Sequence, residues 1–237
     1  MEYALKRTHL PPIPGIHHVG GYSDDFSFCP SLIKIKLCDS VYRARSIQIF
    51  KYHPMNWRDY SYLESGSKTQ RETYKVLNDL NLFSILKSFD PALVSTVCVN
   101  LHTSESDLDI ICQMTNELQF KSTVKQNFRT KANFQIWKRS KGAIVAKFDT
   151  NIFPVEIFAA DKAVEQQYAW RHLNMMHRVL SIEPKIREKV RELKRKGIST
   201  EEAFAKILAL EGDPYDAFLS LEKKSDQEIK SMCQLSV

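Results

Sequence analysis

From Arg71 to Phe89 the apolar residues Tyr74, Leu77, Leu80, Leu82, Ile85, Leu86 and Phe89 recur mostly at steps of three and four, which predicts a helix with one buried face. Asp90-Pro91 then reads as an N-cap with proline at the first helical position, or as a tight turn. Two apolar runs of strand length follow, Leu93 to Leu101 and Leu108 to Met114, divided by the polar turn His102 to Ser106. Residues 116–128 predict a short amphipathic helix through Leu118, Val124 and Phe128. Three further strand-like runs are Phe134–Trp137, Ala143–Phe148 and Phe153–Ala159. Their short connections, Lys141-Gly142 and Asp149-Thr150-Asn151, predict antiparallel hairpins. After Asp161 the pattern is helical. Pro184 opens one helix, Ser199 with Glu202 makes a capping box for another, and Gly212-Asp213-Pro214 ends that helix and starts the last.

This order predicts an α/β fold, α+β by segregation: a small mixed sheet flanked by helices, then a helical C-terminal region of about four helices. The expected division is an extension over 1–54, an α/β core over 55–160 and the helical region over 161–237. Residues 1–54 hold Pro11, Pro12, Pro14, Gly15, Gly20 and Gly21 and lack helical periodicity, although Ser31 to Leu37 alternates weakly as a short strand would. They are expected to be poorly ordered.

Composition narrows the class only a little. Hydrophobic residues at 43% and charged residues at 26% are ordinary for a globular chain and exclude wholesale disorder. No apolar run reaches the roughly eighteen residues of a membrane span, and no basic start leads into an apolar signal segment. Cys29, Cys38, Cys98, Cys112 and Cys233 are odd in number and lack metal-ligand spacing, so neither zinc nor a disulfide framework is expected. Free thiols point to a cytoplasmic protein. The net charge of +6 permits a phosphate-bearing partner without demanding one.

The chemistry concentrates in Ser106-Asp107-Leu108-Asp109-Ile110-Ile111. Side chains alternate along a strand, so Asp107 and Asp109 share a face while Leu108 and Ile110 enter the core. Two such carboxylates repel each other unless a cation sits between them, and an all-oxygen set favours Mg2+ or Mn2+. A solvated strand start is the plainer reading of this pair alone. Glu156 is a third acid, set within the apolar run Phe153-Pro154-Val155-Glu156-Ile157-Phe158. A carboxylate in a half-buried strand is costly unless it is metal-bound or paired with a cation, for instance Lys147 from a neighbouring strand.

An apolar strand, a polar turn, Ser-Asp-Leu-Asp-Ile and a later strand-borne acid resemble the nucleotidyltransferase fold of the DNA polymerase beta-like superfamily. The chain is similar also to an uncharacterised bacterial family of unknown function within it. That likeness runs through Met55-Asn56-Trp57-Arg58-Asp59, Gln70-Arg71, Ser106–Cys112, Val155-Glu156-Ile157-Phe158, Gln167-Tyr168-Ala169-Trp170-Arg171-His172, Glu202-Ala203-Phe204-Ala205 and Gly212-Asp213-Pro214-Tyr215. The resemblance implies Mg2+- or Mn2+-dependent transfer of a nucleoside monophosphate from a nucleoside triphosphate to an unknown acceptor. Asp107, Asp109 and Glu156 would be the metal ligands and catalytic carboxylates. Ser95, Thr96 and Ser106 would position phosphate. Where the superfamily has a glycine pair the chain has Val94-Ser95-Thr96, and Glu105 stands where glycine is usual. These departures define the alternative: a binding protein of the same fold that has lost transfer.

Two other stretches carry candidate contacts. Between Leu118 and Phe148 stand Lys121, Lys125, Arg129, Lys131, Lys138, Arg139, Lys141 and Lys147, with no acid among them and with aromatic residues interleaved. Lys138 and Lys147 are the candidate phosphate contacts, and a nucleic-acid-binding module over 121–147 is a second alternative, not favoured over a solvated face. In Gln166–His172, Tyr168, Arg171 and His172 could line the cleft if the helices close over the sheet; ordinary helix packing is the competing reading. Gly66-Ser67-Lys68-Thr69 lacks the spacing of a phosphate loop. Lys185–Lys196 alternates basic residues with Glu188 and Glu192, as a salt-bridged exposed helix does.

Overall fold

The computed structural model describes residues 54–139 and 142–235. The expectation for 1–54 falls, apart from Pro54, outside the described residues.

Five strands form one mixed sheet: β1 (Ala92–Leu93), β2 (Leu108–Gln113), β3 (Ala132–Lys138), β4 (Ile144–Asp149) and β5 (Pro154–Ala160). Their order is β1-β2-β5-β4-β3. The β3–β4 and β4–β5 hairpins are antiparallel, as the short turns require, and so is β1–β2. The pairing of β2 with β5 is parallel. A parallel pair needs a long crossover, here supplied by α3 (Glu117–Phe128) and the two strands after it.

The two faces of the sheet differ. Leu108, Ile110 and Cys112 of β2, Val155, Ile157 and Ala159 of β5, and Ile144, Ala146 and Phe148 of β4 are all buried in the core. On that side α3 presents Phe120, Val124 and Phe128, with Phe128 stacked on Phe148 at 5.0 Å between ring centroids. Asp109, Glu156 and Lys147 alternate with these core residues and face the opposite side.

The long helix predicted over 71–89 is broken. Helix α1 (Lys68–Asp79) ends at Leu80, Asn81 takes a left-handed φ of 49°, and the short α2 (Leu82–Ile85) follows. Asp90 is likewise left-handed and closes the next helical turn instead of capping a new helix. The predicted strand from Leu93 to Leu101 also splits. Only Ala92–Leu93 pairs with β2, and Thr96–Val99 coils into a 3-10 turn capped by the Ser95 hydroxyl. Apolar content alone does not distinguish a buried turn from a buried strand.

Gly66-Ser67 has a structural role. Ser67 and Gln70 form a capping box at the start of α1. Gln70 is buried, donates to the carbonyls of Val97 and Cys98, and accepts from Asn100. A Cβ on Gly66 would collide with the Gln70 side chain, so glycine is needed there for close approach.

Beyond the sheet come α4 (Tyr168–Ile182), α5 (Ile186–Arg195), α6 (Thr200–Ile207), α7 (Pro214–Ser220) and α8 (Asp226–Leu235). The Ser199 hydroxyl accepts from the Glu202 amide, and Asp213 accepts from Tyr215 and Asp216 ahead of Pro214. The helix begun by Pro214 is not the last; α8 follows it. Trp57 donates from Nε1 to Asn174 at 3.0 Å, and Arg58 lies 5.1 Å over the Trp170 ring while bonding both carboxylate oxygens of Asp90. These contacts hold α4 against the segment before α1, whose Trp57 carbonyl accepts from the Leu93 amide of β1 at 2.9 Å. Among the described residues no helix is long and apolar enough to cross a membrane, and Cys98, Cys112 and Cys233 are free thiols.

Candidate active site

Asp109 and Glu156 are register partners on the parallel pair β2–β5, and Lys147 is the partner of Glu156 on β4. Register partners point to the same face, and neighbouring strands lie roughly 4.8 Å apart. Asp109, Glu156 and Lys147 therefore form one row across three strands. Asp107 stands two residues before Asp109, and its Oδ2 receives the Lys147 ammonium at 3.4 Å. The lysine anticipated as a partner for Glu156 thus makes its ion pair with Asp107.

Asp109 and Glu156 of this row line a cavity of about 880 Å³. Its sheet wall includes Asp109, Ile111, Glu156 and Phe158, and its helical wall includes Tyr168, Ala169, His172, Leu173 and Met176 from one stripe of α4. Thr200 and Glu201 at the start of α6 close the cavity, and Thr96 and Arg139 lie at its margin.

Electrostatics mark the centre of this cleft. Burial first, then the facing carboxylates of Asp107 and Glu156, push the Asp109 carboxyl up to about 8; Lys147 opposes the rise and Glu201 adds to it. Lys194 is pulled below the ordinary lysine value by burial, while Glu201, Asp109 and Asp107 act in the opposite sense. Its ammonium donates to the Leu101 carbonyl at 2.7 Å and to the Thr96 hydroxyl at 3.3 Å.

The other expected site residues divide. Thr96 and His172 line the cavity. His172 is buried, with Nε2 3.0 Å from the Tyr215 carbonyl and Nδ1 3.7 Å from Glu201. Ser95 does not reach the cavity: it is fully buried, and its hydroxyl donates to the Asp107 carbonyl at 2.7 Å and caps the Thr96 turn. The Ser106 hydroxyl accepts from the Thr103 amide within its own turn. Lys138 is the register partner of Ile144 and so faces the α3 side, where it pairs with Glu117 at 2.6 Å. Arg171 pairs with Glu222 and lines a separate, open hollow of about 590 Å³.

Sequence reasoning missed Glu201 and Lys194. Arg191 and Lys196 do pair along α5 as expected, but Lys194 turns inward. The signal was available: Lys194 lies one helical turn from Val190, which is buried.

Oxygen donors of the kind Asp107, Asp109 and Glu156 supply suit a hard divalent cation, and the mutual repulsion that raises Asp109 is what such a cation would relieve. In the arrangement described, no group of three or more His, Cys, Asp or Glu residues is gathered closely enough to hold a metal ion, among the described residues. Asp107 is held instead by Lys147.

The fold and cleft define a mixed α/β protein with a carboxylate-bearing sheet face roofed by helices. A family model described as Domain of unknown function (DUF4269) matches residues 75–221, more than half of the chain, and the chain belongs to that family. The matched span leaves out Met55–Asp59 and Gln70-Arg71. No curated protein matches significantly. Among solved structures, the chain is similar to one described as the GLD-2/RNP-8 complex, with 11% identity and a TM-score of 0.45 over 63% of this chain and 61% of that one. It is similar to Cid1 poly(U) polymerase bound to MgATP, with 17% identity and a TM-score of 0.42 over 67% of this chain and 52% of that one. It is similar also to the polymerase core of TRAMP, an RNA surveillance complex, with 13% identity and a TM-score of 0.40 over 74% and 58%. The chain thus spans about half to three-fifths of the length of these neighbours.

Proposed function

We propose that this protein is a metal-dependent nucleotidyltransferase that moves a nucleoside monophosphate from a nucleoside triphosphate to an acceptor. The observation that carries the reading is the row itself: Asp109 and Glu156 on adjacent parallel strands lining a cavity of nucleotide size, with Asp107 two residues before Asp109. Asp107, Asp109 and Glu156 would hold Mg2+ or Mn2+. When bound, such ions stabilise the attacking and leaving oxygens of an in-line displacement.

This chain's residues divide the remaining work. Asp109 and Glu156 are fixed by the sheet, so they orient the reacting groups without reorganisation. Thr96, tethered by Lys194, offers a hydroxyl at the cavity margin where phosphate would lie. Glu156 would serve the acceptor side, accepting hydrogen bonds from the attacking hydroxyl or amine. Tyr168 and His172 line the roof and Phe158 the floor of the cavity. Ser95 contributes indirectly by fixing the carbonyl of Asp107.

The test is calorimetric titration of Mn2+ and Mg2+, with and without each nucleoside triphosphate, together with pyrophosphate release. Binding that weakens sharply in the double variant Asp107→Asn, Asp109→Asn supports the reading. Binding unchanged in that variant overturns it.

A further inference from the structure

Lys147 is the only basic residue placed by register in the carboxylate row among the described strands. Its ammonium hydrogen-bonds to Asp107, among the described residues, and to reach it spans β5, the strand that carries Glu156. Lys194 on the other side of the cleft is different: it is held by a carbonyl and a hydroxyl, groups that keep it in place whatever happens to the carboxylates. Among the described residues Lys147 has no such anchor. It is half-exposed, on a flexible stem, and is held by a long 3.4 Å ion pair of the kind that exchanges readily.

We infer that Lys147 is a built-in counter-ion that competes with a divalent cation for the Asp107 side of the carboxylate row. This inference rests on the metal-binding reading of the site. While Lys147 holds Asp107, one monovalent charge partly offsets three facing acids, and a divalent ion must displace it to gain the Asp107 ligand. A positive charge so close to an incoming cation opposes its binding through a repulsion that solvent screens only in part. Bare metal affinity is thereby kept low. The lysine that a metal displaces remains beside the cleft, able to meet a phosphate. Lys147 is thus a positioning residue that couples occupancy of the row to whatever anion draws its ammonium away.

Mn2+ alone is the probe, followed by the electron paramagnetic resonance signal of the free ion, at one fixed pH and without nucleotide. Lys147→Met, which keeps the length of the stem and suits a strand, should bind Mn2+ about tenfold more tightly than the natural protein. Lys147→Arg should stay close to the natural protein because it keeps the charge. Adding Asp109→Asn to Lys147→Met should remove the gain, which places the ion at the carboxylates. Circular dichroism confirms folding of each variant. Equal affinity of Lys147→Met and the natural protein, with both weakened by Asp109→Asn, overturns the role of Lys147 and leaves the metal site standing. A gain that survives Asp109→Asn also overturns it. Absence of Mn2+ binding in the natural protein and in Lys147→Met removes the metal reading and this inference with it.

Discussion

The two walls of the cleft are built by different forces. On the sheet wall, Asp109 and Glu156 are placed by backbone pairing between β2 and β5, and a one-residue slip of either strand would send its own carboxylate into the α3 core. On the helical wall, His172, Glu201 and Lys194 come from three separate helices and stand where side-chain packing puts them. The sheet wall carries its charges at high local cost, visible in the raised Asp109 carboxyl. The helical wall spends its polar groups on internal ties, His172 to the Tyr215 carbonyl and Lys194 to Leu101. The contrast separates a wall whose charged groups are placed by backbone pairing from a wall whose polar groups are tied up in packing.

The largest expected effect breaks the sheet wall chemically. Asp109→Asn should lower nucleotidyl transfer about a thousandfold, since a metal-held transition state is worth several kcal/mol and each ~1.4 kcal/mol is a factor of ten. Pyrophosphate release measures it. The same variant should not destabilise the metal-free fold. Asp109 binds its proton more tightly folded than unfolded, so its stabilising contribution is complete below the ordinary carboxylate value of 3.8 and is lost as pH rises toward and through about 8. Relative to Asp109→Asn, the metal-free natural protein should therefore lose melting temperature across that window, and saturating Mn2+ should restore it. A flat difference between the two melting curves would show that Asp109 ionises normally.

Next comes a break in the packing beneath that wall. Ile157 follows Glu156 on β5 and is fully buried. Ile157→Ala should cost about 2–5 kcal/mol in urea unfolding, with partial collapse of the cavity deciding where in that range it falls. On the helical wall, Lys194→Met leaves the Leu101 carbonyl without its donor and should cost about 1–3 kcal/mol. Its hydrogen exchange should quicken over residues 96–101 more than in β2 or β5, a localisation that a global loss of stability would not produce. The smallest effect is Ser199→Ala, which removes the α6 N-cap near Glu201 and should cost about 1 kcal/mol while leaving Mn2+ affinity unchanged.

The sheet side was largely legible from the sequence. Period-two alternation in Leu108–Gln113 and Pro154–Ala160 sets apolar residues on one face and Asp109 and Glu156 on the other, and short turns force the hairpins. Where the apolar run was continuous, as in Leu93–Leu101, there was no alternation to read and the 3-10 turn went unseen. Ser95 illustrates the same limit. Its spacing to Asp107 suited a phosphate contact, yet its side chain is buried, donating to the Asp107 carbonyl and capping the 3-10 turn that begins at Thr96. Lys138 and Lys147 are both strand lysines of the same basic stretch, and only pairing register separates them, one onto α3 and the other into the carboxylate row.

The sequence by itself determined the alternating strands, the capped helices and the presence of Asp109 and Glu156 on strand faces with Asp107 just ahead of β2, because these follow from local periodicity and from turn and cap chemistry. Tertiary structure alone decided that β2 lies parallel to β5, that Lys147 reaches across to Asp107, and that Lys194 and Glu201 converge on the same cleft. Those outcomes depend on which distant segments pair and pack, and contact energies between residues far apart in the chain leave no local pattern to read.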